Sequence, residues 1–154
     1  MAPCLPGVGE MNGSAAQRSP DFEDAPRALT LLVVDDDQAW REALKESLDR
    51  DGFRTTLLAR ADWVVKAVDF HRPDVVILDI NLPGGNGLDV LSTLMRRWPS
   101  LPVMIMTAFG GARIGSEARR RGAAAYLEKP FRMATLVDEI RRIAPASDSP
   151  QAPA

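Results

Sequence analysis

The chain has 154 residues, of which 45% are hydrophobic and 26% are charged, and its formal net charge at pH 7 is −2. These values are ordinary for a globular protein with one core, and they give no general attraction to nucleic acid or to anionic membranes. The single cysteine, Cys4, excludes an internal disulfide and a cysteine-based zinc site.

Targeting signals are missing from the sequence pattern. No apolar run approaches the roughly 20 residues that a membrane span needs, and the first residues lack the basic and apolar regions of a secretion signal. We therefore expect a cytoplasmic protein with no membrane segment. Residues 1–27 and 145–154 are rich in Pro, Ser and Ala, and we predict that both are disordered tails, with Met11 as an alternative start.

The block 28–144 alternates two hydrophobic periods. Apolar runs typical of buried strands occupy 29–34, 53–58, 74–79, 101–106 and 124–128. Apolar residues at helical spacing predict helices over 37–50, 61–71, 87–97, 111–121 and 132–143. Five strands alternating with five helices predict an α/β fold with a doubly wound, five-stranded parallel sheet.

Chemically reactive residues follow four of the five predicted strands. In open parallel sheets, ligands bind at the carboxyl ends of the strands, so those residues would share one edge. They are Asp35, Asp36 and Asp37 after the first strand, Asp79 at the end of the third, Thr107 after the fourth and Lys129 after the fifth. Each residue alone is most simply a helix cap or a solvated charge, and we assign Asp37 to the cap of the next helix.

Taken together, these residues indicate phosphoryl chemistry. The carboxylates of Asp35, Asp36 and Asp79 would repel one another in one crevice unless a cation neutralised them. Mg²⁺ suits this position because it binds one or two carboxylates and keeps waters that phosphoryl oxygens can replace. Lys129 and Thr107 can both bind phosphoryl oxygens. The set fits a carboxylate nucleophile that forms an acyl phosphate.

Four motifs in chain order match one protein family. They are the acidic pair of VVDDD, the segment LDINLPGGNGLDVL, the TA of MIMTA, and YLEKPF. On these motifs, the region from Leu29 to Ile143 resembles the CheY-like receiver domains of two-component response regulators. The resemblance implies a flavodoxin-like sheet of strand order 2-1-3-4-5. It also implies a single-domain response regulator, a phosphoacceptor switch and not an enzyme with an external product.

The resemblance assigns the acceptor and the metal ligands. Asp79 would accept the phosphoryl group from a sensor histidine kinase or a histidine phosphotransfer protein. Asp35, Asp36 and Asp79, together with the main-chain carbonyl of Asn81, would hold Mg²⁺ directly or through water.

The resemblance also assigns the residues that bind and report the phosphoryl group. Lys129 would pair with it, Thr107 would follow it, and the small Ala108 would leave room for the donor. The Lys129–Pro130 bond is expected to be cis. Tyr126 would be an aromatic switch that alters the face made by the fourth helix, fifth strand and fifth helix, where we expect a downstream protein partner. No DNA-reading motif is evident, so we expect no direct contact with nucleic acid.

Two other functions use part of the same residue set. A phosphatase of the haloacid dehalogenase type would use Asp35 as nucleophile and Asp37 as general acid. This function is disfavoured by the order of the motifs, because that family carries its acidic pair late in the chain, whereas here the acidic pair comes first. The family also needs Thr or Val at the position of Ala39. A flavodoxin-like flavin binder would need a hydroxyl- and glycine-rich phosphate loop after the first strand, which is acidic here.

A few further residues have simpler interpretations. The three tryptophans, Trp40, Trp63 and Trp98, fall at helical core or edge spacing and are interpreted as packing residues. Asn86 stands where Asp is common in the family, at a turn that Asn also suits. Phe109 is bulkier than the residue many family members carry there, and it is a candidate to screen the acyl phosphate from water.

Overall fold

The structure is a computed structural model that describes residues 27–145. The predicted tails therefore lie outside the described residues, apart from Arg27 and Pro145 at their inner ends. Within residues 27–145, no helix combines the length and the hydropathy that crossing a membrane requires.

Five strands form one parallel sheet. They are β1 (Thr30–Val34), β2 (Arg54–Leu58), β3 (Val75–Leu78), β4 (Val103–Thr107) and β5 (Ala125–Glu128). Counted within this sheet, the strand order is 2-1-3-4-5, and β1 is paired in parallel with both β2 and β3. The predicted fold class and strand order are confirmed.

Five α-helices connect and follow the strands. They are α1 (Gln38–Arg50), α2 (Val64–His71), α3 (Gly87–Arg97), α4 (Ala112–Arg120) and α5 (Met133–Ile143). The Asp37 side chain accepts a hydrogen bond from the amide of Trp40 at 3.1 Å, which confirms its predicted role as the cap of α1. Asn86 caps α3 in the same way, because its Oδ1 accepts from the amide of Leu88 at 2.7 Å.

The core has two layers because helices cover both faces of the sheet. Helices α2, α3 and α4 pack on one face, where Leu32, Leu78 and Ile105 are fully buried. Helices α1 and α5 pack on the other, which buries Val33 and Ile77. Strands that are buried on both faces need no polar alternation, which explains why they read as continuous apolar runs.

Two local features differ from the sequence-based expectations. A short antiparallel hairpin, Asn81–Leu82 paired with Gly85–Asn86, follows β3 and was not predicted, since two-residue strands are too short to show a period. The packing interpretation is wrong for Trp63, which is 56% exposed. A 3₁₀ turn over Ala61–Trp63 precedes α2 and directs Ala61 and Val64 inward instead.

Candidate functional site

The sheet topology brings the strand-end residues together as the sequence indicated. Strands β1 and β3 are neighbours, and the amide of Asp79 donates to the carbonyl of Val34 at 3.0 Å. Asp35 and Asp79 therefore leave adjacent strands at the same edge, where they are 1% and 6% exposed. Lys129 directly follows β5, which is separated from β3 by β4. Its amide donates to the carbonyl of Thr107 at 2.9 Å.

A cluster of three carboxylates lies at this edge. Oxygen atoms of Asp35, Asp36 and Asp79 all lie within 4.8 Å of one another, with Asp36 exposed and the other two buried. Backbone amides occupy one oxygen of each buried acid: Asp37 N–H donates to Asp35 at 2.9 Å, and Asn81 N–H donates to Asp79 at 3.2 Å. Such closely spaced oxygen ligands fit a hard divalent cation such as Mg²⁺.

Lys129 is the counter-charge for the two buried acids. Its Nζ donates to Asp35 Oδ2 at 2.5 Å and to Asp79 Oδ2 at 3.2 Å. Burial lowers the pKa of Lys129, but the hydrogen bonds and charges of Asp35 and Asp79 outweigh this effect and leave it above its ordinary value. The ammonium therefore stays charged at neutral pH. The peptide bond between Lys129 and Pro130 is cis.

Burial and two neighbouring charges act together on the ionisation of Asp79. Burial raises the pKa of Asp79, the charge of Lys129 opposes this rise, and the charge of Asp35 adds to it. The net effect is a pKa above the ordinary value. Close packing below the site fixes this segment, since a Cβ at Gly87 would lie 2.2 Å from the carbonyl oxygen of Asp79.

The end of β4 and the first residue after it carry a hydroxyl group and a small side chain at the same edge of the sheet. Thr107 is fully buried, and its Oγ1 accepts from the amide of Phe109 at 3.2 Å. Ala108, the residue that follows β4, is exposed. Phe109 is 76% exposed, so its ring provides little cover for the site in this structure.

Tyr126, on β5, contacts the loop between β4 and α4. Its hydroxyl oxygen accepts from the amide of Gly111 at 3.1 Å, and its ring is half-buried against α4. Two glycines leave room for Tyr126 at this position. A Cβ at Gly110 would lie 1.9 Å from the Tyr126 hydroxyl, and a Cβ at Gly115 would lie 3.1 Å from the ring. Burial raises the pKa of Tyr126.

Two residues of α1 reach the site although the sequence indicated no role for them there. Arg41 Nη1 donates to the main-chain carbonyl of Asp35 at 2.6 Å, and Lys129 Nζ lies 5.0 Å from the centre of the Trp40 ring. The sequence feature that could have indicated these two contacts is the helix cap at Asp37. A helix that starts directly after the acidic triplet carries its first-turn side chains back over the end of β1.

Comparison with known proteins identifies the family to which this fold and site belong. Residues 31–141 match the family model described as Response regulator receiver domain. The chain belongs to the response regulator receiver domain family.

Curated relatives share the receiver region and extend beyond it. The chain is 38% identical over 115 residues to the response regulator protein FleR of Pseudomonas aeruginosa, which covers 75% of this chain and 24% of FleR. It is 33% identical over 123 residues to the transcriptional regulatory protein FixJ of Bradyrhizobium diazoefficiens, which covers 77% of this chain and 60% of FixJ. The chain thus spans only part of the relatives it matches.

Solved structures agree with the fold. The non-phosphorylated receiver domain of HemR from Leptospira biflexa is 30% identical with a TM-score of 0.70, and the match covers 75% of this chain and 93% of that one. A CheY-like receiver domain protein from Methanospirillum hungatei gives a TM-score of 0.72 over 75% of this chain and 93% of that one, at 23% identity. The second likeness supports the fold alone.

Proposed function

We propose that this receiver domain accepts a phosphoryl group on Asp79, with Mg²⁺ bound beside it, and signals through a change in its protein-binding surface. The donor would be a sensor histidine kinase or a histidine phosphotransfer protein. The observation that carries the proposal is the position of Asp79. It is a buried carboxylate at the end of a central strand, and it lies between two further acids and the partly buried ammonium group of Lys129.

Metal binding follows from the carboxylate cluster. Asp35, Asp36, Asp79 and the main-chain carbonyl of Asn81 would hold Mg²⁺, which would supply positive charge to the phosphoryl oxygens. The carboxylates need this charge because Lys129 provides one positive charge against three negative ones. Asp36 and Asn81 also line an open cleft.

The transfer step uses three residues of the chain. A carboxylate oxygen of Asp79 forms a bond to phosphorus while the bond from phosphorus to the donor imidazole nitrogen breaks, and the imidazole leaves with the electron pair. Lys129 would move its ammonium group from Asp35 to a phosphoryl oxygen. The Thr107 hydroxyl, which now accepts from the Phe109 amide, would turn to donate to a second phosphoryl oxygen. The small, exposed Ala108 would leave room for the donor.

The signal would pass to the face formed by α4, β5 and α5. When Thr107 moves toward the phosphoryl group, space opens for the Tyr126 ring to turn inward and leave the Gly111 amide. We propose that a protein partner binds the altered face. Action through protein contacts is part of this proposal, and the formal net charge of −2 gives this chain no general attraction to nucleic acid.

Phosphorylation by a small donor tests the proposal. With acetyl phosphate and Mg²⁺, intact mass should show one added phosphoryl group on the wild-type protein and none on Asp79→Asn. Asp74→Asn is the matched control, because Asp74 is also a buried acid but precedes β3, whereas Asp79 follows it. This variant should label as the wild type does. Equal labelling of the Asp79→Asn variant would refute the assignment.

A further inference from the structure

The ring of Trp40 forms one wall around the Lys129 ammonium group. Lys129 Nζ lies 5.0 Å from the ring centre, within the range of a cation–π contact. The ring is itself fixed at its edge by Phe131, with centroids 5.6 Å apart and planes at 79°. Its backbone is fixed by the Asp37 cap, whose side chain accepts from the Trp40 amide.

The indole of Trp40 packs on the core at the α1 and α5 face of the sheet but leaves its polar group unsatisfied. Trp40 Nε1 is buried, and no residue in the range 27–145 accepts a hydrogen bond from it, which is also true of Trp98 Nε1. A buried donor without a partner costs about 1–3 kcal/mol, a cost that Leu or Met would avoid while filling similar space. The indole therefore has a disadvantage as a core residue, which its aromatic face can offset through the contact with Lys129.

The contact also fits the movement that phosphoryl transfer requires. Lys129 now binds Asp35 and Asp79, and it must release Asp35 in order to reach a phosphoryl oxygen. An aromatic face attracts the ammonium group without competing for the metal, since it offers no oxygen ligand. It can therefore hold the cation near Asp79 while its carboxylate partners change.

We propose that Trp40 is a positioning residue that holds the Lys129 ammonium group beside Asp79 during phosphoryl transfer. The proposal rests on the function proposed above, although the contact itself can be tested without phosphorylation. Two variants separate the aromatic face from bulk: Trp40→Phe keeps a weaker face, and Trp40→Leu keeps apolar volume alone.

The first measurement is the NMR signal of the lysine ε-methylene groups. The chain has three lysines, so Lys45 and Lys66 serve as internal controls, and Lys129→Arg identifies the third signal by its loss. Shielding by the ring should displace the wild-type Lys129 signal from the other two. In Trp40→Leu it should return to the ordinary position, and in Trp40→Phe it should lie between.

The second measurement is the rate of phosphorylation by acetyl phosphate with Mg²⁺, followed by intact mass. Trp40→Leu should slow the reaction roughly 2- to 30-fold, the rate equivalent of a typical cation–π contact, and Trp40→Phe should recover part of the loss. An unmoved Lys129 signal in Trp40→Leu would overturn the proposal, as would equal rates in all three proteins. If wild type takes no phosphoryl group but its Lys129 signal depends on Trp40, the proposed function fails and the contact stands. If Trp40→Leu does not fold, the signal and rate of Trp40→Phe decide.

Discussion

The ammonium nitrogen of Lys129 lies 2.5 Å from a carboxylate oxygen of Asp35, a residue that is 1% exposed. In this arrangement Lys129 neutralises part of the charge that Mg²⁺ would otherwise neutralise. The two cations should therefore stabilise the folded protein in an overlapping way.

Removal of Lys129 tests this overlap. Without metal, Lys129→Met should lose about 2 kcal/mol of unfolding free energy, because buried carboxylates lose their charged partner. Added Mg²⁺ should restore more stability to the variant than to wild type, since it has more unpaired charge to neutralise. Urea unfolding with and without Mg²⁺ measures both effects. An equal gain from Mg²⁺ in the two proteins would contradict the overlap.

Asp36 and Asp37 are adjacent in sequence and should behave oppositely. Asp36→Ala should weaken Mg²⁺ binding and leave the melting temperature without metal unchanged or raised, because one of three clustered like charges is removed. Asp37→Ala should change Mg²⁺ affinity little and cost about 1 kcal/mol of stability, because α1 loses its cap. Metal titration by calorimetry, together with thermal unfolding, would separate them. Equal loss of Mg²⁺ affinity in both variants would show that the ligand set is wrong.

The ion pair between Arg27 and Asp74 predicts a pH dependence of stability. Burial raises the pKa of Asp74, but hydrogen bonds from Arg27 and Thr30 outweigh burial and leave the pKa below its ordinary value. Since the folded-state pKa is lowered, the stabilisation is present above about pH 4, the unfolded-state pKa, and is lost as pH falls through the folded-state value.

Asp74→Asn should therefore cost about 2 kcal/mol at neutral pH, and the difference from wild type should shrink below about pH 4. Urea unfolding over a pH series measures this difference. Asp69→Asn is a control on the surface, where an exposed pair with Arg72 contributes little. A cost for Asp74→Asn that does not vary between pH 7 and pH 3 would contradict the pKa direction.

Coupling between Thr107 and Tyr126 predicts a change in the Gly111 amide. On phosphorylation, the inward turn of Tyr126 would break its 3.1 Å hydrogen bond with Gly111, and the amide shift of Gly111 should move strongly. A near-complete swing between the two states requires roughly 5 kcal/mol of differential stabilisation. Thr107→Ala should accept the phosphoryl group yet show less than half of this change by NMR. A change at Gly111 equal to that of wild type would remove Thr107 from the coupling.

The sequence predicted the fold well because its signals are local and repeated. Mainly apolar runs identified the five strands, and the polar residues that follow four of them identified the edge where Asp35, Asp79 and Lys129 meet. The contact of Trp40 with Lys129 could not be predicted in this way, because it joins the start of α1 to the end of β5 through the packed fold. The space that Gly115 provides for Tyr126 is likewise a property of two packed elements.

Phe109 and Trp63 show that residue type alone does not predict whether a side chain is buried. Both are large apolar residues, and composition alone favours a covered position for each, yet they are 76% and 56% exposed. The loop after β4 and the 3₁₀ turn before α2 decide where these side chains point. Burial of a side chain in such connections depends on backbone direction, which the hydrophobic period does not encode.

The chemical form of the modified residue distinguishes an acyl phosphate on Asp79 from a phosphoryl group on any other side chain. After phosphorylation with acetyl phosphate and Mg²⁺, borohydride reduces an aspartyl phosphate to homoserine, which tandem mass spectrometry locates in a peptide. We predict homoserine at position 79 alone, formed only when Mg²⁺ is present. Homoserine at Asp35 or Asp36, or a borohydride-resistant phosphate ester on Thr107, would contradict the account.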